Sequence, residues 1–256
     1  SMNVITGGLP VQYGDVTGGV ISITTKGVSN QYAGGFEVLS SGAQLGEDSY
    51  VGLDKFGYNL IEGTISGPLL RKLNVDTREK EPIVGFFLSG NISNEIDNRP
   101  SAVGSWKIKD DVLADLKANP LRQGFVENSV IPNSDYLRLN DFERVAARPN
   151  VARNSASLAG KIDVVTTKNT NLTFGGSLNY RTGPEYNYAH SLFDYENYPV
   201  RTRLDWRVFG RYTQRFSGTM TEESSSLIKN AYYSIQADYS REFSSLQSAT
   251  HEDRFF

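Results

Sequence analysis

The chain of 256 residues contains no cysteine and only two histidines, His190 and His251. The first absence excludes disulfide staples, thiolate metal sites and cysteine nucleophiles; the second leaves little for a histidine metal cluster. Basic residues are not in excess: 26 Lys and Arg stand against 29 Asp and Glu, for a net charge of −3. Dedicated nucleic-acid binders carry a basic surplus, so no nucleic-acid partner is expected. No apolar run approaches the ~18 residues a spanning helix needs. A membrane β-barrel escapes that test, because only alternate residues of its strands face lipid. The phosphate-cradling and nucleophile-elbow patterns are missing as well. No G-x-G-x-x-G, Gly-Lys-Ser/Thr or G-x-S-x-G occurs, so neither enzymatic activity nor a cofactor is expected.

What is present is alternation with a period of two, in seven segments. Tyr32–Ser40 sets Tyr32, Gly34, Phe36 and Val38 on one face. Asn59–Leu69 sets Ile61, Gly63, Ile65, Gly67 and Leu69 against Glu62, Thr64 and Ser66. Val84–Ser93, Ala156–Val165 and Asn171–Arg181 repeat the scheme, as do Arg203–Thr213 and Ala231–Ser240. Each has one apolar and one wet face. A soluble sandwich also alternates, but runs of about 9–11 residues match a tilted transmembrane strand, whereas soluble strands average nearer 5–6. Tyr32, Tyr180, Tyr212, Tyr233 and Tyr239 sit near the ends of the apolar faces, as interfacial girdles do.

The connections fall at 42–57, 71–81, 99–155, 167–170, 182–202 and 217–229, and longer ones largely alternate with shorter ones. Outer-membrane barrels have this asymmetry, with long external loops and short periplasmic turns. A structureless 99–155 segment is implausible in a compact domain, and Lys107–Ala118 reads as a helix ended by Asn119-Pro120. An open sheet with an odd number of strands leaves two unpaired edges, so the expected fold is all-β: a partial antiparallel transmembrane β-barrel. SMNVITGGLP shows no basic or apolar leader and HEDRFF carries no closing turn, so the chain is expected to be an excerpt of a longer one.

Residues 3–27 differ in character, with Gly7, Gly8, Gly14, Gly18 and Gly19 ahead of the strand-like Val20–Thr25. The stretch Tyr13-Gly14-Asp15-Val16-Thr17-Gly18-Gly19-Val20-Ile21-Ser22-Ile23-Thr24-Thr25-Lys26 resembles the end of the plug domain of TonB-dependent outer-membrane receptors. NLIEGTISGPLL at 59–70 and the closing NAYYSIQADYSREFSS look like the Bacteroidota, Oar-like branch. The resemblance implies a barrel of about 22 strands plugged by its N-terminal domain. It divides the chain into 1–29, the end of the plug, and 30–256, the N-terminal part of the barrel. It further implies residence in the outer membrane of a Gram-negative bacterium, with outer-membrane lipid around the barrel and energy relayed by the TonB complex. A surface lipoprotein is a further partner for this branch. The ligand class, whether small molecule, glycan or peptide, stays open, and a non-transporting structural or adhesive barrel is the alternative function.

Three groups of candidate site residues emerge. Tyr13, Gly14, Gly18, Gly19, Thr25 and Lys26 form the plug-to-barrel motif; turns in a hinge explain the glycines better than a phosphate loop. Arg203, Asp205, Arg207 and Arg211 share one strand face, expected to point into the lumen because a charge facing lipid at midplane costs ~2–4 kcal/mol. They either contact the plug, line a ligand path, or are an ordinary wet face held by ion pairs. Trp106, Tyr186, Tyr188, Tyr195 and Tyr198 lie in long loops, where rings beside carboxylates and amides suit stacking on a ligand or packing of the loop itself. His190 near Asp194 and Glu196 is too sparse for a metal site, so none is expected.

Overall fold

The computed structural model describes residues 2–5, 20–23, 28–45, 48–51, 57–73, 78–217 and 230–251. Its centre is a seven-stranded antiparallel sheet. The strands are β1 (Ala33–Ser40), β2 (Asn59–Leu73), β3 (Lys80–Glu95), β4 (Arg153–Thr167), β5 (Thr170–Pro184), β6 (Pro199–Ser217) and β7 (Asn230–Ser248). They lie side by side in chain order, an up-and-down meander with β1 and β7 as edges. The protein is therefore mostly antiparallel β, and no sheet among the described residues closes on itself.

Most strands are longer than the alternation indicated. β2 to β5 have 15 or 16 residues and β6 and β7 have 19. At ~3.4 Å per residue the last two reach ~65 Å. The register explains the discrepancy. Along one face, Val38, Ile61, Ile92, Ala156, Tyr180, Leu204 and Phe243 stand in one row across all seven strands. Four further rows follow below it, ending with Val84, Val164, Leu172, Tyr212 and Ile235. From Leu204 to Tyr212 the band measures ~27 Å along the strand, or ~19–22 Å after a 35–45° tilt, beside the roughly 25 Å apolar belt of a membrane barrel.

Immediately above the band the same face turns polar in a single step. Ser40, Asn59, Asn94, Asn154, Thr182, Thr202 and Ser245 form a complete row. Its members bond sideways: Ser40 Oγ donates to Asn59 Oδ1 at 2.7 Å, Asn94 Nδ2 donates to Asn154 Oδ1 at 2.8 Å, and the hydroxyls of Thr182 and Thr202 lie 3.1 Å apart. Below the band, Thr170 donates to Gln214 at 2.7 Å and Tyr212 donates to the same amide oxygen at 2.9 Å. Beyond these boundaries polar and apolar residues mix, with Phe216 against Tyr233 below the band and Val200 and Leu246 above it, so alternation fades while hydrogen bonding continues. Arg241 is a cation on the apolar face, opposite Trp206. Its guanidinium lies 4.2 Å over the Phe243 ring, toward the polar row, the posture of a snorkelling side chain.

No described element packs over the apolar face. Phe36, Ile92, Phe174 and Ile235 are each more than half exposed. The hydrophobic residues buried among the described ones are Ile108, Leu113, Val151, Tyr195 and Tyr198, and none belongs to the sheet. Two glycines are required by close approach. A Cβ on Gly67 would sit 2.2 Å from the Tyr32 ring, and one on Gly175 would sit 2.7 Å from the Phe209 ring. Pro68, which has no N–H to give, stands at a register shift in the β2–β3 ladder.

The connections sort by end. At one end, the loop end, lie 96–152 and 185–198, and β1 ends and β2 begins there; at the opposite end Lys168-Asn169 joins β4 to β5. The 96–152 segment builds a cap. Ser105–Ile108 pairs antiparallel with Phe142–Val145, Leu121–Gln123 pairs with Val130–Pro132, and helix α1 (Asp110–Ala118) runs between them. Asp110 and Asp111 complement the positive end of the helix, and Asn119-Pro120 terminates it, as expected. The two short strand pairs around it gave no sequence signal. Before β1, Met2–Ile5 pairs antiparallel with Val20–Ile23. Tyr13, Gly14, Gly18, Gly19, Thr25 and Lys26 lie outside the described residues.

Candidate functional site

On the face opposite the apolar band, Arg203, Asp205, Arg207 and Arg211 share one side of β6, as their spacing requires. Their partners come from β7. Arg203 Nε donates to Glu242 at 2.7 Å, Arg207 pairs with Asp238 at 3.2 Å, and Arg211 Nε donates to Gln236 at 2.8 Å. Asp205 stands directly opposite Glu242 and between the two arginines of its own strand. Beside them on β4, Lys161 pairs with Asp163 at 2.8 Å, and Thr173 of β5 donates to Asp163 at 2.7 Å. The Arg203–Glu242 and Arg207–Asp238 pairs are half-exposed, so each contributes modestly to stability, whereas Lys161 and Asp163 are largely buried. Glu242 was missed in the sequence because Arg241, a cation on the apolar face, breaks the alternation after Ser240.

The face changes character at the loop end. Arg181 lies directly opposite Arg203, and one row above, Arg153 lies opposite Glu95 while Arg201 lies opposite Gly183. Arg201 pairs with Glu185, whose carboxyl is held below its ordinary value chiefly by that hydrogen bond. Arg153, Arg181, Gly183, Glu185, Arg201 and Arg203 line an open cleft of about 530 Å³. Sequence alternation exposed Arg181 as a wet-face residue, but Arg153 and Arg201 stand outside the alternating runs.

Beyond the cleft, the cap and the 185–198 loop pack into one body. Ile108 N–H donates to Leu192 O at 3.0 Å, and Asn150 Nδ2 donates to Tyr195 O at 2.8 Å. Lys117 pairs with Glu196 at 2.5 Å. At the root of the cap, Asp97 is completely buried. Its carboxylate accepts from Arg148 N–H at 2.9 Å, from Arg148 Nη2 at 2.6 Å and from Arg99 N–H at 2.9 Å. Burial pushes the Asp97 carboxyl up, but the Arg148 side chain and the two backbone donors outweigh it and hold it below its ordinary value. The same guanidinium lies 4.6 Å over the Tyr186 ring.

The aromatic candidates separate by burial. Tyr195 is 8% and Tyr198 0% exposed: both rings form the core of the cap with Ile108, Leu113 and Val151. They support the loop rather than present a face to a ligand. Burial pushes the Tyr198 hydroxyl up to about 12, and that hydroxyl has no hydrogen-bond partner. Tyr186 packs edge-on against Tyr198, with ring centroids 5.7 Å apart, and stays 38% exposed. Tyr188 is 83% and Trp106 40% exposed, the latter beneath the Arg144 guanidinium at 5.3 Å. These three keep surface for an external molecule. Of the carboxylates beside His190, Asp194 pairs with His190 itself and accepts from Asn197, while Glu196 is engaged by Lys117. Among the described residues no group of three or more His, Asp or Glu is placed to hold a metal.

No protein-family model matches the chain, and neither a curated protein nor a solved structure shows significant similarity to it.

Proposed function

We propose that the chain is part of a TonB-dependent outer-membrane receptor, in which external loops capture a ligand and the barrel passes it inward past a movable plug. The observation that carries this is the uncovered apolar band of the sheet, bounded by the Ser40-to-Ser245 polar row above and the Thr170–Gln214 contacts below. An apolar face of that height needs lipid or protein against it. The unpaired edges of β1 and β7 each need a neighbour, which further strands of a barrel of about 22 would supply. The loop end would face outward, with the cap and the 185–198 loop as part of the capture surface, and the charged face of β6 and β7 would line the lumen. On this reading the protein is not an enzyme, its energy comes from the TonB complex, and residues 1–29 end the plug.

The test uses the full-length protein in its own cell. Expected are co-fractionation with the outer membrane, a heat-dependent shift in gel mobility, and ligand uptake that stops when the proton-motive force is collapsed. A protein that is monodisperse in buffer without detergent would overturn the membrane assignment. Membrane location with no uptake dependent on that force would leave the structural or adhesive barrel in its place.

A further inference from the structure

We infer that the loop end of the polar face carries an oxyanion-binding site, built on Arg153 and Arg181, for a phosphate- or carboxylate-bearing solute. The inference rests on the proposal that this face lines a water-filled lumen, and it deepens that proposal by naming the ligand's chemistry.

Four guanidiniums converge here from three adjacent strands. Two are matched, Arg201 by Glu185 and Arg203 by Glu242. Arg153 and Arg181 make no ion pair or side-chain hydrogen bond with any described residue, although Glu95 stands opposite Arg153 in the ladder and Arg153 lies close enough to Glu185 to help lower its carboxyl. Arg181 faces Arg203 directly across the β5–β6 ladder. Like charges directly opposite destabilise a sheet, so an empty site holds these two in opposition. An anion between them converts that repulsion into two charge-assisted contacts. Guanidinium suits the task, since its planar fork meets carboxylate or phosphate oxygens two at a time.

Space exists where the charges converge. Gly183 occupies the position between Arg153 and Arg201 without a side chain, and a Cβ there would lie 2.8 Å from Arg153 Cγ. The cleft of about 530 Å³ on this side adjoins a second of about 710 Å³, bounded by Tyr58, Ser93, Glu95 and Ser155. Arg153 and Arg181 line both, so an anion held by them has room for the rest of its molecule on either side. Farther down the face Lys161 is matched by Asp163 and Arg207 by Asp238, and Arg211 is held by the Gln236 amide.

The experiment is calorimetric titration of the full-length protein in detergent micelles with sodium pyrophosphate, with citrate, and with maltotriose as the neutral control. Saturable binding of pyrophosphate or citrate is expected, and which of them binds identifies phosphate or carboxylate as the preferred group. Arg153→Gln and Arg181→Gln should each weaken it about tenfold or more. Lys168→Gln, in the β4–β5 turn at the opposite end of the sheet, should leave it unchanged. No binding of either anion, or binding equal in all variants, overturns the site. Heat-dependent gel mobility of the same samples reports the barrel separately. A mobility shift without anion binding discards this inference alone, and anion binding without the shift discards the barrel.

Discussion

Replacing Arg148 by alanine should undo the cap while sparing the sheet. The Asp97 carboxylate is wholly buried, and the Arg148 side chain is only 15% exposed. The substitution removes the guanidinium bonds to Asp97 and leaves the carboxylate with two backbone donors, Arg148 N–H and Arg99 N–H. Breaking one side of a buried ion pair costs about 3–5 kcal/mol, because a charge stays behind without its partner. At ~1.4 kcal/mol per factor of ten, cap opening should become about 140- to 3,700-fold more frequent. The reporters are the amide of Ile108, bonded to Leu192 O, and that of Leu113 in α1. Hydrogen exchange of the protein in detergent, followed by mass spectrometry, reads both against the amides of β5 and β6, which should not change. Asp97→Asn keeps the shape and one acceptor, so its effect should be smaller, about 1–3 kcal/mol. Acceleration of the cap amides by less than about fivefold in Arg148→Ala, roughly 1 kcal/mol, would refute the assignment of this pair as the root of the cap.

Three other outcomes follow from the same contacts. Because the folded Asp97 lies below its ordinary value, its contribution is complete above pH ~5 and disappears as the pH falls through and below ~3.9, so cap exchange corrected for intrinsic rate should rise in acid. Tyr198 runs the other way: with its folded value raised to about 12, its contribution is complete below pH ~10 and is lost as the pH rises toward 12. Tyrosinate absorbance should therefore appear together with cap opening, and Tyr198→Phe, which deletes a partnerless buried hydroxyl, should remove that step without loss of stability at neutral pH. In the sheet, Val208→Arg in the middle row of the apolar band should cost ~2–4 kcal/mol in urea titrations of vesicle-folded protein, whereas Ser177→Arg on the opposite face should cost under ~1 kcal/mol; equal costs would contradict a lipid-facing band.

The sheet was legible because its middle obeys one rule. Where lipid or core takes one face and water the other, alternate residues must differ, and all seven strands could be located from that difference alone. Their ends were not legible for the complementary reason: above Thr202 and below Tyr212 polar and apolar residues mix on the faces, and backbone pairing continues without a period to mark it. Arg153 and Arg201 were missed there, and Glu242 was missed inside the band because Arg241 interrupts the apolar face beside it. Helix α1 could be read from its periodicity and its Asn119-Pro120 stop. The short strands around it could not, since three or four residues hold no period and their order comes from the cap's own packing. Tyr195 and Tyr198 show the limit of composition. Beside Asp194, Glu196 and Asn197 they look like a polar, ligand-facing cluster, yet Ile108, Leu113 and Val151, distant in sequence, fold over them. Asp97 and Arg148 are separated by 51 positions, and only the fold makes them a pair.

The 96–152 segment leaves β3 at Glu95 and rejoins β4 at Arg153, and those two residues are cross-strand partners. Topologically the cap is a guest in a hairpin: its entry and exit are already adjacent, so exchanging it for another sequence asks nothing of the strand register. A scaffold of this kind can change what it meets outside while its ladder stays the same. The freedom is bounded by Tyr195 and Tyr198, which belong to the next loop yet fill the guest's core. A new cap must bring a matching 185–198 segment or leave those rings in water, so the two loops form one heritable unit separated by two strands that need not vary.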